Sequence, residues 1–222
     1  MSMRRGKIPM LTSVIRAVIF DLDGTLLDSK EAIVISFQEA ARRMNIEIDE
    51  DIVRNLIGIP AREIIKRAAL TPLREEEVVR FVHLRREIFK DLWKREVKLY
   101  PDVMETLIAL RDRGYLLGIA SSNNEERLRA MVHFFNLDEL IPVAIGYGKG
   151  IRPKPYPDMI LKVTEKLGIS PQEALYVGDT EQDYISAQRA GTYYIMIDRE
   201  GHMTWHKTPV IRSLLELLRL LP

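Results

Sequence analysis

In the segment Val18-Ile19-Phe20-Asp21-Leu22-Asp23-Gly24-Thr25, two aspartates have the type and spacing for chemistry. An apolar run ends at Phe20. Asp21 and Asp23 follow two residues apart, so alternation along an extended chain sends both carboxylates to one side of a strand end. Gly24 permits a turn that a side chain would hinder. Two carboxylates so placed can divide labour. One attacks phosphorus and forms an acyl-phosphate. The other protonates the leaving oxygen and later deprotonates a water. Both cannot stay charged beside a phosphate dianion without a cation. Mg2+ suits the task, because it takes oxygen ligands and bridges carboxylates to phosphate. The plainer alternative is a turn after a strand, where Asp and Gly are common.

Three later segments have the same character. In Gly118-Ile119-Ala120-Ser121-Ser122-Asn123 a strand runs into a helix, and the hydroxyls of Ser121 and Ser122 suit phosphate oxygens. The alternative is simple capping of the helix over 124–135. In Arg152-Pro153-Lys154-Pro155-Tyr156-Pro157 a lysine is held between prolines with little backbone entropy, so its ammonium can face a crowded anionic site. The alternative is an exposed loop lysine. In Val177-Gly178-Asp179-Thr180-Glu181-Gln182-Asp183 two carboxylates follow another apolar strand, four residues apart on a starting helix. They suit a metal, or merely the positive end of the helix.

The elements that must position these residues are legible as short apolar runs alternating with helical patterns. Strands are expected at 17–20, 115–120, 143–145, 174–177 and 193–197. Helices are expected at 102–113, 125–135, 157–167 and 182–190, with a closing helix over 209–221 whose leucines pack on the sheet. This alternation implies an α/β fold with a doubly wound parallel sheet. If the strand order is 3-2-1-4-5, the order reverses beside the first strand and opens a crevice where Asp21 and Asp179 face each other. Between Asp28 and Lys98 the alternation stops, and the stretch reads as wholly helical: 31–44, 49–56, 61–70 and 72–94. Residues 28–98 are therefore expected to form a small all-helical inserted domain, with 1–27 and 99–222 as the α/β core.

Composition limits the function classes. The chain has 222 residues, is 46% hydrophobic and 29% charged, and has a net charge of +1. That balance argues against a protein built to bind nucleic acid through a basic field. With no cysteine, thiolate catalysis and cysteine-ligated metal sites are excluded. No apolar run is long enough to span a bilayer, and the first 13 residues lack a signal-peptide pattern, so a cytoplasmic location is expected. His202 and His206 are four apart, a zinc-like spacing, but with no third ligand evident a surface loop is expected. Trp205, Tyr193 and Tyr194 are expected to pack rather than to stack on bases.

Taken together, the four segments resemble the haloacid dehalogenase superfamily, in particular the phosphoglycolate-phosphatase-like branch with a helical cap inserted after the first strand. The likeness runs from about Val14 to Leu221. It implies a Rossmann-like core and a Mg2+-dependent phosphatase acting on a small phosphorylated metabolite. It implies Asp21 as nucleophile and Asp23 as acid/base, with a metal contact from the Asp23 backbone carbonyl. Ser121 and Lys154 would bind the phosphoryl group, with Ser122 as a further contact. Asp179 would be a metal ligand, and Asp183 would bind metal waters or Lys154. In the cap, Leu56-Ile57-Gly58-Ile59-Pro60-Ala61-Arg62-Glu63 resembles the loop that points into the site, with Arg62 as a candidate substrate contact; a surface arginine at a helix start is the alternative. Arg85, within an apolar helical stripe of Val78, Phe81, Val82, Ile88, Phe89 and Leu92, is expected to snorkel. Asp23 argues against a dehalogenase, since halide needs no proton. A phosphonate hydrolase using Lys30 or Lys66, a phosphomutase, and a non-catalytic binding module remain as alternatives. The oligomeric state, monomer or homodimer, stays open.

Overall fold

A computed structural model describes residues 15–201 and 208–222. His202, Trp205, His206 and the first 14 residues lie outside the described residues. The elements run β1 (Ala17–Phe20), β2 (Leu27–Asp28), α1 (Lys30–Met44), α2 (Glu50–Asn55), α3 (Ala61–Ala68), α4 (Glu75–Glu96), β3 (Lys98–Leu99), α5 (Val103–Asp112), β4 (Leu116–Asn124), α6 (Glu125–Phe134), β5 (Val143–Tyr147), α7 (Asp158–Leu167), β6 (Ala174–Gly178), α8 (Glu181–Ala190), β7 (Tyr193–Ile197), β8 (Val210–Ile211) and α9 (Leu217–Leu220). By internal contacts the chain divides into two compact units, residues 27–99 and the remainder.

The larger unit is built on a six-stranded sheet in the order β5-β4-β1-β6-β7-β8, every pair parallel. The expected 3-2-1-4-5 order is contained in it, with β8 added at one edge. All four residues of β1 are fully buried. A strand covered on both faces has no polar side to present, which is why it reads as an unbroken apolar run. Helix α7 lies so close to β4 that a Cβ on Gly118 would collide with Val163.

The closing helix expected over 209–221 is corrected. Val210 and Ile211 instead extend the sheet beside β7, with Met196 N–H donating to Pro209 O and Asp198 N–H to Ile211 O. The β-branched pair suits a strand. Helical structure begins only after Ser213, whose hydroxyl accepts from Leu215 N–H and whose own N–H bonds Glu216. The reading of 28–98 as wholly helical is also corrected, in one detail. Four helices fill the smaller unit, but β2 and β3 pair antiparallel at its root, Leu27 with Leu99 and Asp28 with Lys98. A departing and a returning chain lie side by side there, and their backbone groups satisfy one another.

Within the smaller unit, α4 buries Val78, Phe81, Phe89, Leu92 and Trp93. Arg85 sits in that stripe half-buried, its guanidinium 5.1 Å from both the Phe37 and Phe89 ring centres and its Nε donating to Ser36 at 2.8 Å. The stem is covered by apolar surface while the charge meets ring faces and a hydroxyl.

Candidate active site

Asp21 leaves the sheet as β1 ends, its N–H still donating to Val177 O of β6 at 2.8 Å. The chain then turns sharply, with Gly24 at φ +80° and Leu26 N–H returning to Leu22 O at 2.9 Å. A Cβ on Gly24 would run into the Asp179 carboxylate. The glycine therefore serves twice: it adopts a left-handed conformation, and it lets the turn approach the second acidic strand end. The parallel pairing of β1 with β6 sets Phe20 against Val177, so Asp21 and Asp179, 158 positions apart in sequence, follow at the same sheet edge.

Beneath them lies a buried charge cluster. Lys154 Nζ is 2.6 Å from Asp21 Oδ1 and 2.5 Å from Asp183 Oδ1, and it donates to Tyr176 Oη at 3.1 Å. The Tyr176 hydroxyl has Asp183 Oδ1 at 2.8 Å and Ala120 O at 3.0 Å as acceptors for its single proton. The other Asp183 oxygen takes the Thr180 hydroxyl and N–H, while Asp183 N–H returns to the Thr180 hydroxyl, a reciprocal cap at the start of α8. Burial alone would depress the lysine, but Asp183 and Asp21 more than reverse this, holding the ammonium charged above the ordinary lysine value. Burial lifts Asp21 from 3.8 to about 7, against the pull of Lys154, and Asp183 and Asp23 add to the rise. One ammonium thus serves two carboxylates, and a further cation has electrostatic reason to enter.

Helix α8 also holds the lysine loop. Asp183 engages the Lys154 ammonium, Ser186 Oγ donates to Tyr156 O at 2.8 Å, and Arg189 donates to Pro155 O at 2.9 Å. Spacings of three along a helix put these groups on neighbouring turns. Lys154 is consequently 8% exposed, where an ordinary loop lysine would stand in water.

The strand expected to stop at Ala120 continues to Asn124. Alternation buries Ser121 and Asn123 together and leaves Ser122 exposed on the other side. Asn123 Nδ2 donates to Asp23 Oδ2 at 2.6 Å and to Ser121 Oγ at 3.0 Å. The capping task falls to Asn124, whose side chain accepts from Arg127 N–H, so Ser121 does not cap the helix. Asp23 Oδ1 is buried and has no hydrogen-bond partner among the described residues.

Asp21, Asp179 and Asp183 each present one carboxylate oxygen within 4.8 Å of the others. This is an all-oxygen, anionic donor set, which suits a hard divalent cation. The Asp23 side chain lies outside the group. Arg62 belongs to the smaller unit, where it is exposed and paired with Glu75, which also pairs with Lys66 at 3.1 Å. Tyr194 is buried, its hydroxyl having Gly178 O at 3.0 Å and Thr180 O at 3.2 Å as acceptors for its single proton, and Tyr193 is exposed.

Two contributors escaped the sequence reading. Tyr176 looked like one more apolar residue of β6, and only the inward register of the strand gives its hydroxyl a place beside Asp183. Asn123 was part of a quoted segment, but its bond to Asp23 spans 100 residues of sequence.

Comparison with known proteins agrees with this geometry. Residues 18–197 match the family model described as haloacid dehalogenase-like hydrolase. A phosphoglycolate phosphatase from Aquifex aeolicus is 33% identical over 182 residues, covering 80% of this chain and 82% of its own length. A putative pyrophosphatase, PpaX, from Clostridium perfringens is 30% identical over 179 residues, covering 80% and 81%. A haloacid dehalogenase-like family hydrolase from Streptococcus pneumoniae shares the fold at a TM-score of 0.83 and 22% identity, covering 93% of this chain and 98% of its own. No described helix is long and apolar enough to cross a membrane. With two acidic strand ends, a buried lysine and a parallel sheet joining them, and a family match across most of its length, this chain belongs to the haloacid dehalogenase-like hydrolases.

Proposed function

We propose that the chain is a Mg2+-dependent phosphatase that hydrolyses a small phosphomonoester through an aspartyl-phosphate on Asp21. The observation that carries this reading is the meeting of Asp21, Lys154, Asp179 and Asp183, drawn from three distant segments, at one sheet edge.

The oxygen donors of Asp21 and Asp179 fit Mg2+, with the Asp23 backbone carbonyl as a third protein ligand implied by the family. Asp183 has both oxygens engaged by Lys154, Tyr176 and Thr180, and so serves chiefly to anchor the lysine. When bound, the cation would neutralise the carboxylates and the phosphoryl oxygens and bring Asp21 back to its ionised form. A carboxylate oxygen of Asp21 attacks phosphorus, and the bond from phosphorus to the ester oxygen breaks. Asp23 gives its proton to the departing alkoxide. Asp23, now ionised, takes a proton from water as the water oxygen attacks the aspartyl-phosphate. The bond from phosphorus to Asp21 breaks, releasing inorganic phosphate and restoring the carboxylate. Lys154 and Ser121 hold the transferring oxygens, and Asn123 keeps Asp23 oriented by occupying its Oδ2.

The substrate is a compact metabolite, with phosphoglycolate as the first phosphomonoester candidate because a relative bears that name; pyrophosphate, an anhydride named for another relative, joins the panel as a contrast. The test is release of inorganic phosphate from a generic aryl phosphate and from a metabolite panel, with Mg2+ and with chelator. Absence of turnover across the panel would refute the reading. So would a trapped phosphoenzyme in Asp21→Asn, which must form none.

A further inference from the structure

Arg199 was not singled out by any motif, yet its side chain is only 10% exposed and lies just after β7. Its Nη1 meets Asp102 Oδ2 at 2.7 Å, and its Nη2 donates to Thr25 O at 2.7 Å. Its guanidinium lies 4.1 Å from the centre of the Tyr100 ring. Asp102 is fixed in turn, because the same Oδ2 accepts from Ser213 Oγ at 2.6 Å and Leu214 N–H at 2.7 Å.

The peptide that Arg199 grips has a particular place. Thr25 O and Leu26 N–H belong to one planar peptide unit. The carbonyl end accepts from Arg199. The amide end donates to Leu22 O at 2.9 Å, and Leu22 is the residue between Asp21 and Asp23. The next carbonyl, Leu26 O, accepts Tyr100 N–H at 3.1 Å. A rigid plane held at one end restricts rotation at the other. The grip on Thr25 therefore constrains the turn that carries both aspartates, from a residue 178 positions downstream of Asp21.

We propose that Arg199 is a positioning residue: its forked guanidinium, anchored on Asp102 and stacked on Tyr100, locks the peptide that closes the Asp21–Asp23 turn. An arginine is required because two donors in a fixed plane must reach a carboxylate and a carbonyl at once. The role rests on the phosphatase reading above, since it presupposes that Asp21 and Asp23 react.

The test compares Arg199→Ala and Arg199→Lys with wild type and with Leu137→Ala, which removes a fully buried side chain from the connection between α6 and β5, at the end of the sheet opposite its carboxyl edge. Two measurements are made: steady-state hydrolysis of an aryl phosphate below the unfolding temperature, and hydrogen exchange at the amides of residues 22–26. Misplacement of a reacting group by about 1 Å lowers rates on the order of 100-fold, so Arg199→Ala is expected to lose roughly 10- to 100-fold in kcat with KM changed less than about twofold. Its turn amides are expected to exchange faster, while Leu137→Ala loses thermal stability but keeps wild-type kcat and turn exchange. Arg199→Lys is expected to stay well below wild type, because one ammonium cannot serve both acceptors. Full recovery by lysine, or wild-type kcat and unchanged exchange in Arg199→Ala, would overturn the proposal. If wild type itself shows no turnover, the phosphatase reading fails, and the exchange measurement alone still decides whether Arg199 locks the turn.

Discussion

Replacing Asp21 by asparagine should make the metal-free protein more stable at high pH. The carboxylate is buried, and burial lifts it from 3.8 to about 7 despite the adjacent Lys154. Because the folded value is raised, the folded state keeps a proton that the unfolded chain has already lost. Stability from this group is therefore full below about pH 4, falls as pH rises toward 7, and is flat above. Over the roughly three pH units between 3.8 and about 7, at ~1.4 kcal/mol each, the penalty is on the order of 4 kcal/mol. Between pH 5 and pH 8 about 3 kcal/mol of it develops, roughly 6–12 °C in Tm for a chain of this length. An amide has nearly the same shape and no charge, and Lys154 keeps Asp183 as its partner. The assay is thermal or urea unfolding of wild type and Asp21→Asn with chelator at pH 5 and pH 8, where comparing the two variants cancels other titrating groups. The stability gap should widen in favour of the variant from pH 5 to pH 8, and Mg2+ should close it by stabilising wild type more. A gap that is constant with pH, or a variant less stable than wild type at pH 8, would refute the electrostatic account.

Four other outcomes are expected. Gly24→Ala places a Cβ against the Asp179 carboxylate at a left-handed φ, so a Mg2+ titration of phosphatase activity should shift to at least tenfold higher concentration, by analogy with the ~10- to 100-fold effects of disturbing a metal ligand's support. Gly178→Ala brings a Cβ to 2.5 Å from Asp183 Cγ and displaces the Lys154 anchor; kinetics should show a loss of ~10-fold or more in kcat/KM. Asn123→Ala removes a hydrogen bond to ionised Asp23, worth ~1.5–3 kcal/mol, and should lower kcat by roughly 10- to 100-fold in the same assay. Ser186→Ala leaves Tyr156 O without its hydroxyl donor, which should lower stability in urea by about 0.5–1.5 kcal/mol and raise KM through a looser lysine loop.

The site's composition explains why its residues are placed as they are. Desolvating two carboxylates and an ammonium is unfavourable unless each finds partners, and apolar substitutes would often be more stable. Here Lys154, Tyr176, Thr180 and Asp183 form a bonded set that keeps the lysine charged and aimed at Asp21. The set favours reactivity over stability, as the expected gain from Asp21→Asn expresses in a measurable way.

Some of this was determined by sequence alone, because local rules suffice for it. Buried parallel strands need unbroken apolar runs, so β1, β6 and β7 were legible within a residue or two, and the polar residues after them had to lie at the sheet's carboxyl edge. The break in alternation after Asp28 set the expectation of an insert over 28–98, and residues 27–99 form one compact unit by internal contacts. Segment 209–221 was misread because its leucines keep a helical period only from Leu214, while Pro209–Ile211 answer to a neighbour, β7, that no local pattern reveals. Tertiary structure alone decided the pairings. Parallel register set Tyr176 beside Asp183, strand alternation chose Asn123 and Ser121 over Ser122 for the buried side, and loop closure brought Arg199 to Thr25. Such contacts join residues far apart in sequence, and their existence depends on how the strands are ordered rather than on any local periodicity. Asp21 and Asp23 could be proposed as the reacting pair from eight residues of sequence; the contacts that hold them still could not.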